Sequence, residues 1–175
     1  MSSYRIERRV VLLGIAALAG CGFSPAYGPG GSASGLTGSV LVEEPDDRDS
    51  FNLVRQLELR LGQPNPARYT LDFDLSVSVD GVGLTSENET TRYNLVGRVS
   101  YSLKDIDTKD VLTTGKVNSF TGYSVGTVDT TVSPPSTSST ISTRAAERDA
   151  HDRLMVILAD QIVTRLVATS GSWAK

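Results

Sequence analysis

The sequence predicts an α+β domain, a two-layer sandwich in which about four mostly antiparallel strands form one sheet and two helices pack on one of its faces. Three observations carry this. Residues 69–80, "YTLDFDLSVSVD", alternate apolar and polar without an error, which marks a half-buried strand. Two further segments, 92–104 and 111–125, repeat the period of two. Apolar stripes at helical spacing then appear near residues 51–61 and 144–168.

Taken in order, "SVLVEEP" at 39–45 reads as a short first strand ended by Pro45. Asp49 or Ser50 is placed to cap the helix "FNLVRQLELRL", in which Leu53, Val54, Leu57 and Leu61 share a face. Phe51 falls at its margin and Leu59 on the opposite side. Gly62 stops this helix, and Pro64 and Pro66 prevent its return.

In the first long strand Tyr69, Leu71, Phe73, Leu75, Val77 and Val79 point one way; in the second, Tyr93, Leu95, Val99, Tyr101 and Leu103 do. "DIDTKD" turns the chain into a third strand, with Gly115 and Gly122 as candidate bulge sites. Charges suggest a register in which Asp74 faces Arg98, Asp80 faces Arg92, Lys104 lies beside Asp110, and Lys116 lies next to Arg98. A Ser/Thr/Pro stretch, "DTTVSPPSTSSTIST", reads as a loop. The closing helix, from about Arg144 to Ala168, gathers Met155, Leu158, Ala159, Ile162, Val163 and Leu166 on one face, with "SGSWAK" at 170–175 as a fraying tail. Both helices on one sheet face would bury every apolar pattern and leave the charged face wet.

The amino end addresses the chain. Arg5, Arg8 and Arg9 precede a run, Val10 to Leu18, that is apolar apart from Gly14. At about half the twenty residues a membrane span needs, it reads as an export signal over residues 1–20. Arg8-Arg9 leaves ordinary secretion and twin-arginine export both open. Leu18-Ala19-Gly20-Cys21 then matches the bacterial lipobox, whose thiol takes diacylglycerol, so Cys21 is the expected lipidation site. Three acyl chains would make a near-permanent anchor, since one alone binds marginally. Gly22 in place of Asp favours the outer membrane, with the domain on the periplasmic face. Residues 21–38 read as a flexible tether and 39–169 as a single domain. Removing residues 1–20 takes away three arginines and one glutamate, moving the net charge from −3 to −5. Nucleic acid is a poor partner for such a chain.

The residues carry almost no signal for catalysis. His151 is the only histidine and Cys21 the only cysteine, too few for a His/Cys metal site. His151 lies one turn before Met155, as a structural histidine would. The acidic run Glu43, Glu44, Asp46 and Asp47 suits the start of a helix. Asp105, Asp107 and Asp110 lack the glycine and glutamate of a calcium loop, and "GVG" at 81–83 opens no helix. No enzyme, cofactor or metal is expected.

The lipobox running into "CGFSPAYG" at 21–28, the order strand, helix, three strands, helix, and the C-terminal amphipathic helix together resemble the LptE family of lipopolysaccharide-assembly lipoproteins. The likeness is to the alphaproteobacterial branch, where "CGFxPLYG" is typical; Ala26 stands here in place of Leu. The resemblance implies a non-enzymatic outer-membrane subunit that plugs the LptD β-barrel, helps it fold and assists lipopolysaccharide delivery. It implies basic contacts to lipopolysaccharide, for which Arg92, Arg98 and Lys116 are the candidates. The alternative is an auxiliary lipoprotein of another envelope lipid-transport machine of the ABC type.

Overall fold

The computed structural model describes residues 31, 35–84, 90–125 and 137–173. Cys21, the lipobox and the export signal lie outside the described residues. The elements are β1 (Val40–Val42), α1 (Arg48–Leu61), β2 (Tyr69–Leu84), β3 (Thr90–Asp105), β4 (Val111–Ser124) and α2 (Thr137–Trp173). The four strands form one sheet in the order β1-β2-β3-β4. The two hairpins are antiparallel and β1 joins β2 in parallel, so the sheet is mixed.

One core unites both helices with the inward residues of all four strands, from Val40 and Leu71 to Leu95, Leu103 and Val117. The stripes match the sequence: Leu53, Leu57 and Leu61 of α1 and Leu154, Leu158, Ile162 and Leu166 of α2 are buried, while Leu59 is exposed. α2 has 37 residues, about 55 Å at the helical rise, and runs the length of the sheet. Between Ile141 and Trp173 it is long and apolar enough to cross a membrane by length and composition. Its apolar stripe is instead spent on β3, β4 and α1.

The layers approach closely at Gly97, on the inward side of β3. A β-carbon there would lie 2.8 Å from Leu158 Cδ1 and 3.1 Å from Leu154 Cδ2. The helix therefore rests on bare backbone. Gly115 has a related use: it stands opposite Tyr101, whose ring occupies the space a side chain would need. Neither Gly115 nor Gly122 marks a bulge. The β3–β4 register breaks between Leu103 and Lys104, where Leu112 is the extra residue.

Four local expectations are corrected. α1 starts earlier, with Asp47 as its cap: Asp47 accepts from Ser50 N–H at 2.6 Å, and Asp47 N–H donates to Ser50 Oγ at 2.9 Å. Ser50 thus fills the reciprocal position of a capping box. The tether ends sooner than Gly38, because Leu36 is 1% exposed in the core, and Gly38 N–H donates to the otherwise orphaned carbonyl of Leu61 at 2.6 Å. α2 begins at Thr137, inside the expected loop. It also continues to Trp173, where the predicted fraying tail is held by an edge-on contact of Trp173 with Tyr69, ring centroids 5.6 Å apart.

Both hairpin registers are two residues away from those the charges suggested. Asp74 faces Ser100 and Asp80 faces Asn94; Arg98 faces Asn118 and Lys116 faces Ser100. The suggested first hairpin would have set Lys104 opposite Arg68. The observed one sets Leu71 against Leu103 and Phe73 against Tyr101, and in the second hairpin it gives the Tyr101 ring the free space over Gly115. A slip of two leaves every side chain on its predicted face.

Two outcomes follow. Gly97→Val should lower stability by about 1–3 kcal/mol through overpacking, read as a lower urea midpoint with an unchanged slope. Asp47→Ala should cost about 0.5–2 kcal/mol at pH 7. The Ser50 hydroxyl, and then its N–H, hold the Asp47 carboxyl below its ordinary value of about 3.8. This contribution is complete above that value and is lost as pH falls through the lower folded one. Urea titrations of the two proteins should therefore stay apart from pH 7 to about 5 and begin to converge only as pH falls below about 4.

Candidate functional site

The surface with the most distinctive chemistry is the sheet face turned away from the helices. It is built by the even-numbered residues of three long strands: Asp72 to Asp80 on β2, Arg92 to Lys104 on β3 and Thr114 to Ser124 on β4. Alternation puts these outward because their odd neighbours are drawn into the core. The result is a broad face of Asp, Ser, Thr, Asn, Arg and Lys, interrupted by Val96 paired with an exposed Phe120.

All three sequence-predicted basic residues lie on this face and are exposed. Arg98 and Lys116 come together as diagonal neighbours on adjacent strands, since Arg98 faces Asn118. Such positions are about 7–8 Å apart at the backbone, within reach of long side chains. Arg92 lies six residues along β3, about 20 Å away, near the far end of the hairpin. The structure thus assembles two of the three. Neither Arg98 nor Lys116 forms a side-chain ion pair among the described residues.

Lys104, in contrast, is engaged. It pairs with Asp72 diagonally across β2 and β3, and the hydrogen bond to that carboxylate raises its pKa. Asp110, its expected neighbour, belongs to the turn. There Asp105 Oδ1 accepts from the backbone N–H groups of Asp107 and Thr108 at 2.9 and 3.1 Å, and Lys109 takes a left-handed φ of 62°. The carboxylate is used to hold the turn, as the plain-turn reading of "DIDTKD" requires. No cluster of His, Cys, Asp and Glu among the described residues has the arrangement to hold a metal.

His151 is half-buried between the helices. Its Nδ1 lies 2.9 and 3.0 Å from the two oxygens of Asp49 in the first turn of α1. Sequence reasoning placed His151 in a structural role but missed Asp49 as its partner, which is 102 residues away. The pair borders a hollow of about 450 Å³ lined also by Asp47, Arg48, Arg144, Glu147 and Arg148. Its lining mixes both charge signs, and no Ser, Thr, Cys or Lys side chain stands among those residues as a nucleophile beside the imidazole.

The family model for LptE, described as lipopolysaccharide-assembly, matches residues 38–166. This chain belongs to the LptE family. The matched segment runs from the turn before β1 to the last buried leucine of α2 and so covers all four strands, α1 and the buried stripe of α2. LptE membership assigns it a role in lipopolysaccharide assembly, in a family of non-enzymatic envelope lipoproteins. The fold recurs in solved structures. A candidate lipoprotein from Caulobacter crescentus CB15 is similar at 22% identity and TM-score 0.60, over 83% of this chain and 99% of that one. A lipoprotein B from Nitrosomonas europaea is similar at 12% identity and TM-score 0.57, over 78% and 86%. A minor lipoprotein from Acinetobacter baumannii is similar at 15% identity and TM-score 0.55, over 75% and 92%. No curated protein sequence matches the chain.

Proposed function

We propose that this LptE-family chain is a lipid-anchored subunit of the outer-membrane lipopolysaccharide translocon, seated as a plug in the lumen of an LptD-type β-barrel. There it helps the barrel to fold and assists delivery of lipopolysaccharide to the outer leaflet. The observation that carries this reading is the polar sheet face. A barrel lumen is lined with polar side chains and water, and a plug must present a hydrophilic surface to it. The single-sided core of this domain leaves a face about fourteen to sixteen residues long on each of its three long strands for that purpose.

Acylation at Cys21 would hold the domain beside its barrel at the periplasmic face and raise its effective concentration there. Arg98 and Lys116 are the residues proposed to meet lipopolysaccharide phosphates, as an exposed cationic pair on a rigid sheet. Arg92 is a separate, more distal contact.

Gentle detergent extraction of a tagged, full-length chain should recover a large β-barrel protein. Isolation of a free monomer, or normal surface lipopolysaccharide after depletion, would overturn the plug reading. Mass spectrometry of the native protein should find Cys21 at the amino terminus and triacylated. Reversing both charges, Arg98→Glu with Lys116→Glu, should weaken lipopolysaccharide binding about tenfold or more, at the 1–3 kcal/mol scale of a few charge-assisted contacts. The melting transition should be unchanged, because both side chains are exposed. Unaltered binding by this double variant would remove the proposed contact.

A further inference from the structure

The two edges of the sheet are treated differently. On the β4 edge its own helix takes two carbonyls: Arg153 of α2 donates to the carbonyl of Gly122 at 3.3 Å, and Arg165 donates to that of Lys116. Side chains thus occupy two of the acceptors that a foreign strand would use. The opposite edge has no such cover. β1 ends at Val42, pairing only with Tyr69, Thr70 and Leu71, whereas β2 continues to Leu84.

The direction of the uncovered groups follows from the last bonds of β1. Glu43 N–H donates to Leu71 O at 3.0 Å, and Phe73 N–H donates to Glu43 Oε2 at 3.3 Å. Odd residues of β2 therefore aim their backbone groups away from β3. Beyond Phe73 these are Leu75, Val77 and Val79, and their edge groups meet no partner among the described residues. Their side chains lie on the inner face and are no longer well covered: Leu75 and Val77 are half-buried and Val79 is 51% exposed.

Charge selects the occupant. The notch where β1 stops is lined by Glu43, Glu44, Asp46, Asp47 and Asp74, with no basic side chain. Asp74 and Asp80 stand exposed on the outer side of this edge without an ion pair among the described residues.

We propose that the β2 edge from Phe73 to Val79 is a docking site for an extended polypeptide segment of a partner protein. That segment alternates basic with apolar residues and adds to the sheet as a fifth strand in the place β1 vacates. Its backbone takes the edge groups of Leu75, Val77 and Val79. Its apolar side chains continue the inner face beside Val77 and Val79, and its basic ones face Asp74, Asp80 and the acidic notch. This goes beyond the plug reading, and either stands if the other fails: Asp74 and Asp80 belong to both surfaces, but strand addition is read at the edge backbone groups of Leu75, Val77 and Val79, which the plug reading does not use.

The test uses the full chain in detergent micelles with a capped nine-residue peptide alternating lysine and valine, and a control alternating glutamate and valine. Amide exchange read by NMR should slow at least tenfold at Leu75, Val77 and Val79 with the lysine peptide and stay unchanged with the control. Val77→Pro removes an edge donor without touching the β3 ladder and should abolish protection of Leu75 and Val79. Asp74→Lys with Asp80→Lys, both exposed, should weaken binding at least fivefold while the fold is kept. Three results would overturn the proposal: equal protection by the two peptides, no protection at millimolar peptide, or protection already complete before peptide is added. The last would give the edge to another segment of this chain, or to a second copy if it rises with protein concentration.

Discussion

The seating of α2 on the backbone of β3 at Gly97 is the contact on which the rest of the molecule depends. Leu154 and Leu158 fill the space where a side chain would stand, which brings the helix flush against the sheet from Ala150 onward. Fixing that spacing lets α1 close the core against α2 and β1, and lets His151 reach Asp49 across the helix pair. With both helices on one side, the sheet has one dry face and one wet face. The burial of apolar area supplies the driving force, while polar pairs such as His151 with Asp49 set how the helices lie.

The wet face is thus a by-product of the core and at the same time the proposed functional surface. A strand that must put Leu71, Leu95 and Val117 inward puts Asp72, Asn94 and Lys116 outward at no further cost in sequence. The proposed plug would fit a polar environment, which needs rigidity behind a hydrophilic surface. A continuous sheet backed by two helices provides it.

The sheet margins carry a second division of labour. Arginines from α2 take two acceptors on one edge, and the early end of β1 opens the other. An open edge of apolar alternation is an aggregation hazard. Acidic residues placed around it disfavour self-pairing by like-charge repulsion, and they would favour a basic partner for the same electrostatic reason.

Element order, facing and core membership were legible in the sequence, because periodicity of two or 3.6 is imposed by the same burial that forms the core. Tyr69 to Val77 and Leu154 to Leu166 could be assigned on that ground alone. Charge pairs did not reveal register. Exposed cross-strand pairs contribute only about 0.2–1 kcal/mol each, and the placement of Tyr101 over Gly115 and Leu71 against Leu103 outweighs them. Leu36 looked like tether because a single apolar residue among glycines has no period; only the fold shows the hole it fills. Trp173 looked like a loose end for the same reason, until Tyr69 was placed beneath it. By itself the sequence determined which residues turn inward and which outward, since that choice is local to each strand or helix. The tertiary structure decided how the outward residues meet, setting Arg98 and Lys116 diagonally rather than face to face and leaving Arg92 apart, because strand register is set by the shapes that fit between the layers.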